Sequence, residues 1–164
     1  MAMKIEIRKA RLSDAETIAN FVNSARPERL LSQLDVAERF SQVGFLLAEH
    51  EGHAVGLIGW RVENLIICLT DFLIAPSVDR VTTGHALVAA MEKEGKFLQA
   101  EAAILFLPDN PSQALIDYWQ QFAYTRKALA DLSKAWREAT MEWNATATEV
   151  MVRQIRQDLV RRPM

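Results

Sequence analysis

The chain has 164 residues and a mass of 18.6 kDa, the size of one domain with a proper core. Half of the residues are hydrophobic and 24% are charged, an ordinary globular balance. A formal net charge of −2 offers no bulk electrostatic case for nucleic acid or an anionic membrane.

No apolar run approaches the roughly 18 residues that a membrane span requires, and Met1 to Arg11 lacks the pattern of a signal peptide. Cys68 is the only cysteine and stands in an apolar run, Leu65 to Leu69. It reads as inert core filler in a reducing compartment, so the expected location is cytoplasmic. The histidine and cysteine pattern carries no metal expectation.

Lys4 to Arg8 alternates polar and apolar residues, as a half-buried strand does. Ser13 with Glu16 has the spacing of a capping box. Behind it Ala15, Ile18, Phe21, Val22 and Ala25 share a helical face, and Pro27 closes the segment. A second helix is expected from about Leu34 to Ser41, with Val36, Ala37 and Phe40 inward. The runs Phe45 to Ala48 and Ala54 to Ile58, separated by a stretch containing Gly52, predict a hairpin. A third apolar run follows Asn64 and continues through Asp71 into Phe72, Leu73 and Ile74.

That run stops at Pro76. A polar elbow, Ser77 to Thr83, leads into a helical pattern from Gly84 to about Gln99, and a further apolar run spans Ala102 to Leu107. Strand, helix and strand make a βαβ unit with near-parallel strands. A loop that opens onto a helix N-terminus presents unpaired N–H groups and a positive dipole end, which suits a phosphate. Downstream, Leu115, Trp119 and Phe122 form an apolar helix face. Tyr124 to Ala128 is expected as a strand. Trp136 to Trp143 alternates with period two and predicts another.

From Thr146 or Thr148 a helix is expected, with Met151, Val152, Ile155 and Leu159 opposite Arg153, Arg156 and Arg161. The organisation expected is therefore a domain over 1–143 with a helical extension over 144–164. The extension holds four Arg against Glu149 and Asp158. Its apolar face lacks Trp and Phe anchors, which favours docking on protein over a membrane surface. A homodimer through this helix or through a sheet edge is the assembly that the pattern allows.

The strand ending at Pro76, the short loop, Gly84 and the Ala86-Leu87-Val88 helix resemble the acetyl-CoA-binding core of the GNAT superfamily, the CoA-dependent N-acetyltransferases. The element order is similar over residues 4–143. The resemblance implies an α+β fold, a central mixed and mostly antiparallel sheet flanked by helices, to which the C-terminal helix is added. In that family the elbow reads Arg/Gln-x-x-Gly-x-Gly/Ala, and its amides hold the CoA pyrophosphate. Those positions fall on Asp79, Thr82 and Gly84, of which only Gly84 conforms. Asp79 brings a negative charge to the expected pyrophosphate position, with Arg80 beside it as an offset. The implied cofactor contacts are Leu73 and Ile74 on the strand, Arg80, Val81, Thr82, Thr83, Gly84 and His85 on the elbow and helix, and Ser112.

In the same family an Asn opens the next helix, a Tyr seven residues later protonates the departing thiolate, and a Gly-Phe pair ends the helix. Ala123-Tyr124 matches that pair best, which places Ser112 at the Asn position and Trp119 at the Tyr position. Trp has no acidic proton at accessible pH. The adjacent Tyr118 is then the candidate acid, against the alternative that this aromatic stripe is simply core. An ammonium must also lose a proton before it attacks a thioester. The candidate bases are Asp71, where the family often has an acidic residue, and His85 in the first turn of the expected cofactor helix. Glu49, Glu63, His50 and His53 stand at neighbouring strand ends. The implied activity is transfer of an acetyl group from acetyl-CoA, as co-substrate, to a small-molecule or peptide amine. The alternative is a catalytically degenerate protein that senses acyl-CoA or serves as an interaction subunit. Acceptor choice is expected to lie in Ser24 to Leu34.

Overall fold

Residues 4–28 and 30–156 are described by a computed structural model of the chain. In chain order its elements are β1 (Glu6–Lys9), α1 (Ala15–Ala25), α2 (Gln33–Arg39), β2 (Gly44–His50), β3 (His53–Glu63) and β4 (Ile66–Ile74). Then come α3 (Arg80–Phe97), β5 (Ala102–Phe106), α4 (Gln113–Gln120), β6 (Thr125–Ala128), α5 (Lys134–Trp143) and β7 (Glu149–Gln154). The strands form a seven-stranded sheet in the order β1-β2-β3-β4-β5-β7-β6. The pairs β1–β2, β2–β3, β5–β7 and β6–β7 are antiparallel, whereas β4 and β5 run parallel. A parallel pair needs a crossover connection, and α3 supplies it.

The chain divides into two compact units. The first holds the residues up to Arg61 together with Thr70–Met91. Period-two alternation sorts its strands into two faces. Phe45, Leu47 and Leu57 join Ala15, Ile18, Ala19 and Val36 in one apolar cluster, which buries the inner faces of α1 and α2. Ala48 and Gly56 face the other way, against Thr83 and Leu87 of α3. A Cβ at Gly56 would lie 3.0 Å from Leu87 Cδ1 and 3.1 Å from Ala48 Cβ, so the close approach of this helix needs the small residue. The β2–β3 turn places Glu51 at φ 50° and Gly52 at φ 79°. Two positive φ values match the right-handed twist of a two-residue hairpin.

The second unit holds Val62–Leu69 and the chain from Glu92 onward. Ile66, Cys68, Ala102, Ile104, Val150 and Val152 form its core with Leu129, Leu132 and Ala139, and Trp136 and Trp143 pack against it. Cys68 is fully buried. Glu92 is also buried, where it accepts from Tyr124 Oη at 2.9 Å and from Arg153 Nη1 at 2.8 Å. A buried carboxylate is tolerable when both oxygens are engaged in this way.

Three sequence expectations are corrected. Ser13 and Glu16 do not cap the first helix. A 3₁₀ turn over Leu12–Asp14 precedes it, and Asp14 Oδ2 accepts from the Arg11 N–H at 2.7 Å. Trp136 to Trp143 is the helix α5, not a strand. Trp136, Ala139, Thr140 and Trp143 also fall at i, i+3, i+4 and i+7, and Ser133 caps the start by accepting from the Trp136 N–H. The expected C-terminal helix is replaced over Glu149–Gln154 by β7, which runs between β5 and β6. Val150, Met151 and Val152 form a continuous apolar run, the mark of a strand buried on both faces. Leu159 and Arg161 lie outside the described residues.

Candidate functional site

The elbow begins where β4 leaves the sheet. The Ala75 N–H still donates to Val55 O at 2.8 Å, and Pro76, which has no N–H, ends the pairing. Asp79 then starts α3: its Oδ2 accepts from the Thr82 N–H at 2.7 Å, and its carbonyl accepts from the Thr83 N–H at 3.0 Å. These bonds to Thr82 hold the Asp79 carboxyl below the usual carboxylate range. Of the elbow amides expected to hold a pyrophosphate, those of Thr82 and Thr83 are thus engaged by Asp79. The N–H groups of Arg80 and Val81 precede the first intrahelical bond, as helix geometry requires. The Thr83 side chain is 1% exposed, with Cγ2 close to Gly56, and Gly84 is buried. His85 is exposed and lies in the second turn of α3, one turn later than expected.

A concave site of about 420 Å³ opens beside this elbow. One wall is Phe72, Leu73 and Ile74 from the end of β4, with Pro76 and Arg80; the other is Ser24, Ala25 and Arg26 from the end of α1. Leu73, Ile74 and Arg80, three of the residues expected at the cofactor, line this one site, and Ser24, Ala25 and Arg26 are the residues of the Ser24 to Leu34 region that line it with them. Asn23 and Leu31 are bonded to each other. The Asn23 side chain donates to Leu31 O at 2.8 Å and accepts from the Leu31 N–H at 2.7 Å, closing the loop between them. The Arg26 N–H donates to Val22 O at 2.8 Å and ends α1.

Asp71, adjacent to this wall, is committed to other groups. Arg39 of α2 reaches it with two hydrogen bonds, 2.8 Å to Oδ1 and 2.6 Å to Oδ2, and Thr70 Oγ1 donates to Oδ2 at 2.8 Å. The Arg39 guanidinium also lies 5.5 Å from the centre of the Phe45 ring. A Cβ at Gly59 would come within 2.7 Å of Asp71 Oδ2, so glycine makes room for this clamp. Sequence reasoning missed Arg39; its only trace is a cation in the last turn of a helix.

In the second unit Ser112 caps α4, accepting from the Leu115 N–H at 3.2 Å. Trp119 is 3% exposed and packs edge-on against Phe122 and Tyr124. It is core, as the apolar-stripe reading has it. Tyr118 is half-buried and meets the edges of Trp119 and Phe122, with ring centres 5.8 and 5.0 Å apart. Ala123 has φ 68°, the left-handed conformation that a helix-ending glycine usually takes. That agrees with aligning it to the glycine of a Gly-Phe pair. At the hairpin end, Glu49 accepts from Arg8 Nε at 2.6 Å, and His50 Nδ1 lies 3.0 Å from Lys4 O. Among the described residues no group of His, Cys, Asp or Glu has the arrangement of a metal site. No described helix is long and apolar enough to cross a membrane.

No protein-family model matches the sequence, and no curated protein matches it either. Solved structures do match it in fold. A GNAT-family acetyltransferase from Staphylococcus aureus superposes with a TM-score of 0.72 at 14% identity, covering 93% of this chain and 100% of that one. The PaiA N-acetyltransferase of Thermoplasma acidophilum, solved with coenzyme A, gives 0.65 at 16% identity over 93% and 99% of the two chains. A Salmonella typhimurium protein described as an acetyltransferase, solved with its cofactor acetyl-CoA, gives 0.68 at 13% identity over 95% and 96%. The fold of this chain is that of the GNAT acetyltransferases.

Proposed function

We propose that the chain is an acetyl-CoA-dependent N-acetyltransferase that modifies a small or peptide amine. The observation that carries this reading is the concave site at the β4–α3 elbow, lined also by the end of α1, in the fold of the GNAT acetyltransferases. Its residues fit an anionic thioester carrier: a strand end, two arginines, and the start of a helix. Acetyl-CoA supplies the activated acyl group when bound.

The protein's part is to hold an amine against that acyl group and to manage two protons. Leu73 and Ile74 form an apolar wall that excludes water from the thioester. The cationic side chains Arg26 and Arg80 hold negative charge at the rim. Proximity of this kind supplies much of the rate in acyl transfer to an amine. Tyr118 is the proposed acid, protonating the departing thiolate. Asp71 is the nearest carboxylate to the Phe72–Ile74 wall in sequence, but its oxygens already serve Arg39 and Thr70. We assign it to bracing β4 against α2, and we leave deprotonation of the ammonium to His85 or to water.

Isothermal calorimetry with acetyl-CoA, and CoA as control, tests the reading. Micromolar affinity is expected, and no binding at millimolar acetyl-CoA would overturn it. Asp71→Asn separates brace from base. A base predicts a fall in kcat of about 100-fold at neutral pH with an unchanged fold. A brace predicts a lower Tm and a much smaller change in kcat. One observation favours a second reading, a sensor or partner subunit that binds acyl-CoA weakly. Asp79 Oδ2 accepts from the Thr82 N–H, where a phosphate oxygen would otherwise accept. Acetyl-CoA binding without transfer to any amine would select it.

A further inference from the structure

One wall of the concave site is the last part of β4, and strand pairing alone does not set its place. The parallel register of β4 with β5 covers Ile66 to Cys68, and Phe72, Leu73 and Ile74 lie beyond it. On its other side β4 neighbours β3, and just past the end of β4 the Ala75 N–H donates to Val55 O at 2.8 Å. A further hold acts at Asp71. Side chains alternate along a strand, so Asp71 and Leu73 point to the same face, with Cα atoms about 7 Å apart. Whatever holds the Asp71 carboxylate holds the strand at the start of the wall.

That hold is built from α2, β2, β3 and β4 itself. Arg39 stands in the last turn of α2, a helix whose start Ser32 and Asp35 cap reciprocally and whose Val36 is buried. Its guanidinium donates one bond to each Asp71 oxygen, at 2.8 and 2.6 Å, a bidentate geometry that fixes direction as well as distance. The Phe45 ring on β2 lies 5.5 Å from the same guanidinium, and Thr70 Oγ1 donates to Asp71 Oδ2 at 2.8 Å. Gly59 on β3 leaves the space. A Cβ there would lie 2.7 Å from Asp71 Oδ2 and 2.9 Å from both Phe45 Cε1 and Thr70 Oγ1. A carboxylate that needed only a counter-charge would be served by one ammonium. A fork, a ring and a missing Cβ specify a position.

We propose that Arg39 is a positioning residue for acetyl transfer: through the Asp71 carboxylate it sets where the Leu73–Ile74 wall stands, and hence how thioester and amine meet. This rests on the acetyl-transfer reading of the same site and names a residue, far from the wall in sequence, on which its rate depends. Arg39 is not among the described residues that line the site, so it acts through Asp71. A small displacement of the wall separates the reacting groups without abolishing the binding of either.

The experiment compares the unaltered chain with Arg39→Ala, Arg39→Lys, Asp71→Ala, Gly59→Ala and the double variant Arg39→Ala/Asp71→Ala, all well below the lowest Tm of the set. Turnover is followed with acetyl-CoA and a panel of amines, acetyl-CoA affinity by calorimetry, and the wall by the methyl NMR signals of Leu73 and Ile74. Arg39→Ala is expected to lower kcat about tenfold. The Kd for acetyl-CoA should stay within about threefold, because the elbow keeps its own bonds at Ala75 and Asp79. Arg39→Lys supplies the charge without the fork and should recover part of the rate. Gly59→Ala changes no charge, yet it should lower kcat and move the same methyl signals. The double variant should be no slower than Arg39→Ala, because both residues act through one contact.

A merely structural pair would lower Tm and leave kcat and the methyl signals in place, and that result in folded Arg39→Ala would overturn the proposal. Losses that add in the double variant would also overturn it, as would a loss confined to the acetyl-CoA Kd with kcat intact. If Arg39→Ala does not fold, Arg39→Lys and Gly59→Ala carry the same readouts. Absence of transfer in the unaltered chain defeats the acetyl-transfer reading instead, and the methyl signals then decide by themselves whether Arg39 sets the wall.

Discussion

Asp79 shows how one side chain decides what a helix terminus is for. Its carboxylate satisfies the Thr82 N–H and places a negative charge where an anionic ligand would approach. Asp79→Asn keeps an oxygen to cap the helix and removes the charge. It should tighten acetyl-CoA binding about two- to fivefold, with the gain shrinking as salt is raised. Calorimetry at two ionic strengths checks this, and unchanged affinity at both would mean that the charge does not face the ligand. Tyr124 works in the opposite setting. Burial, then the neighbouring Glu92, raises its hydroxyl well above the ordinary value of 10.0. The folded chain keeps this proton while the unfolded chain releases it above about pH 10. The contribution is therefore fully present below pH 10 and is lost as pH rises beyond it. Tyr124→Phe should lose about 1–2 kcal/mol at neutral pH, since Glu92 loses a donor. It should also flatten the alkaline decline in stability, which urea titrations at pH 8 and above pH 10 would reveal.

At the scale of elements, the end of α4 is the most exposed to test. Ala123 holds φ 68°, a region that alanine enters only with strain. Ala123→Gly should stabilise the chain by about 1 kcal/mol, seen as a higher urea midpoint at constant slope. Destabilisation would mean that the alanine methyl group contributes packing that outweighs the strain. The same scale explains the two misread segments. Trp136 to Trp143 fits both a period of two and a helical period. The sequence contains the deciding signal, Ser133 three residues before Trp136, and the alternation hides it. In the segment around Val150, a helical stripe and a doubly buried strand share the same apolar residues. The choice falls to β5 and β6, which pair with β7 on either side.

For the whole molecule, ligand linkage supplies the broadest check. Acetyl-CoA that binds the native chain alone stabilises it by about 2.7 kcal/mol at 100 times Kd, and the Tm should rise by several degrees. No rise at any concentration would remove the elbow from the account. Much of the fold was legible beforehand. The hairpin with Gly52 and the βαβ passage through Pro76 and Gly84 both follow from hydrophobic period and turn residues, which are local properties of the chain. Of the candidate site, Leu73, Ile74 and Arg80 were readable because they flank one elbow in sequence. Arg26 and Arg39 were not, because nothing local marks a cation as facing a strand end or a carboxylate far along the chain.

The sequence by itself therefore determined where the chain turns, which faces are apolar, and where a helix opens after a strand, since each depends on residues within a turn or two of one another. Tertiary structure alone decided that Asp71 is locked by Arg39, that β7 lies between β5 and β6, and that Arg26 and Arg80 line one concave site. Those outcomes depend on which distant surfaces meet, and side-chain pairing across the fold has no period in the sequence.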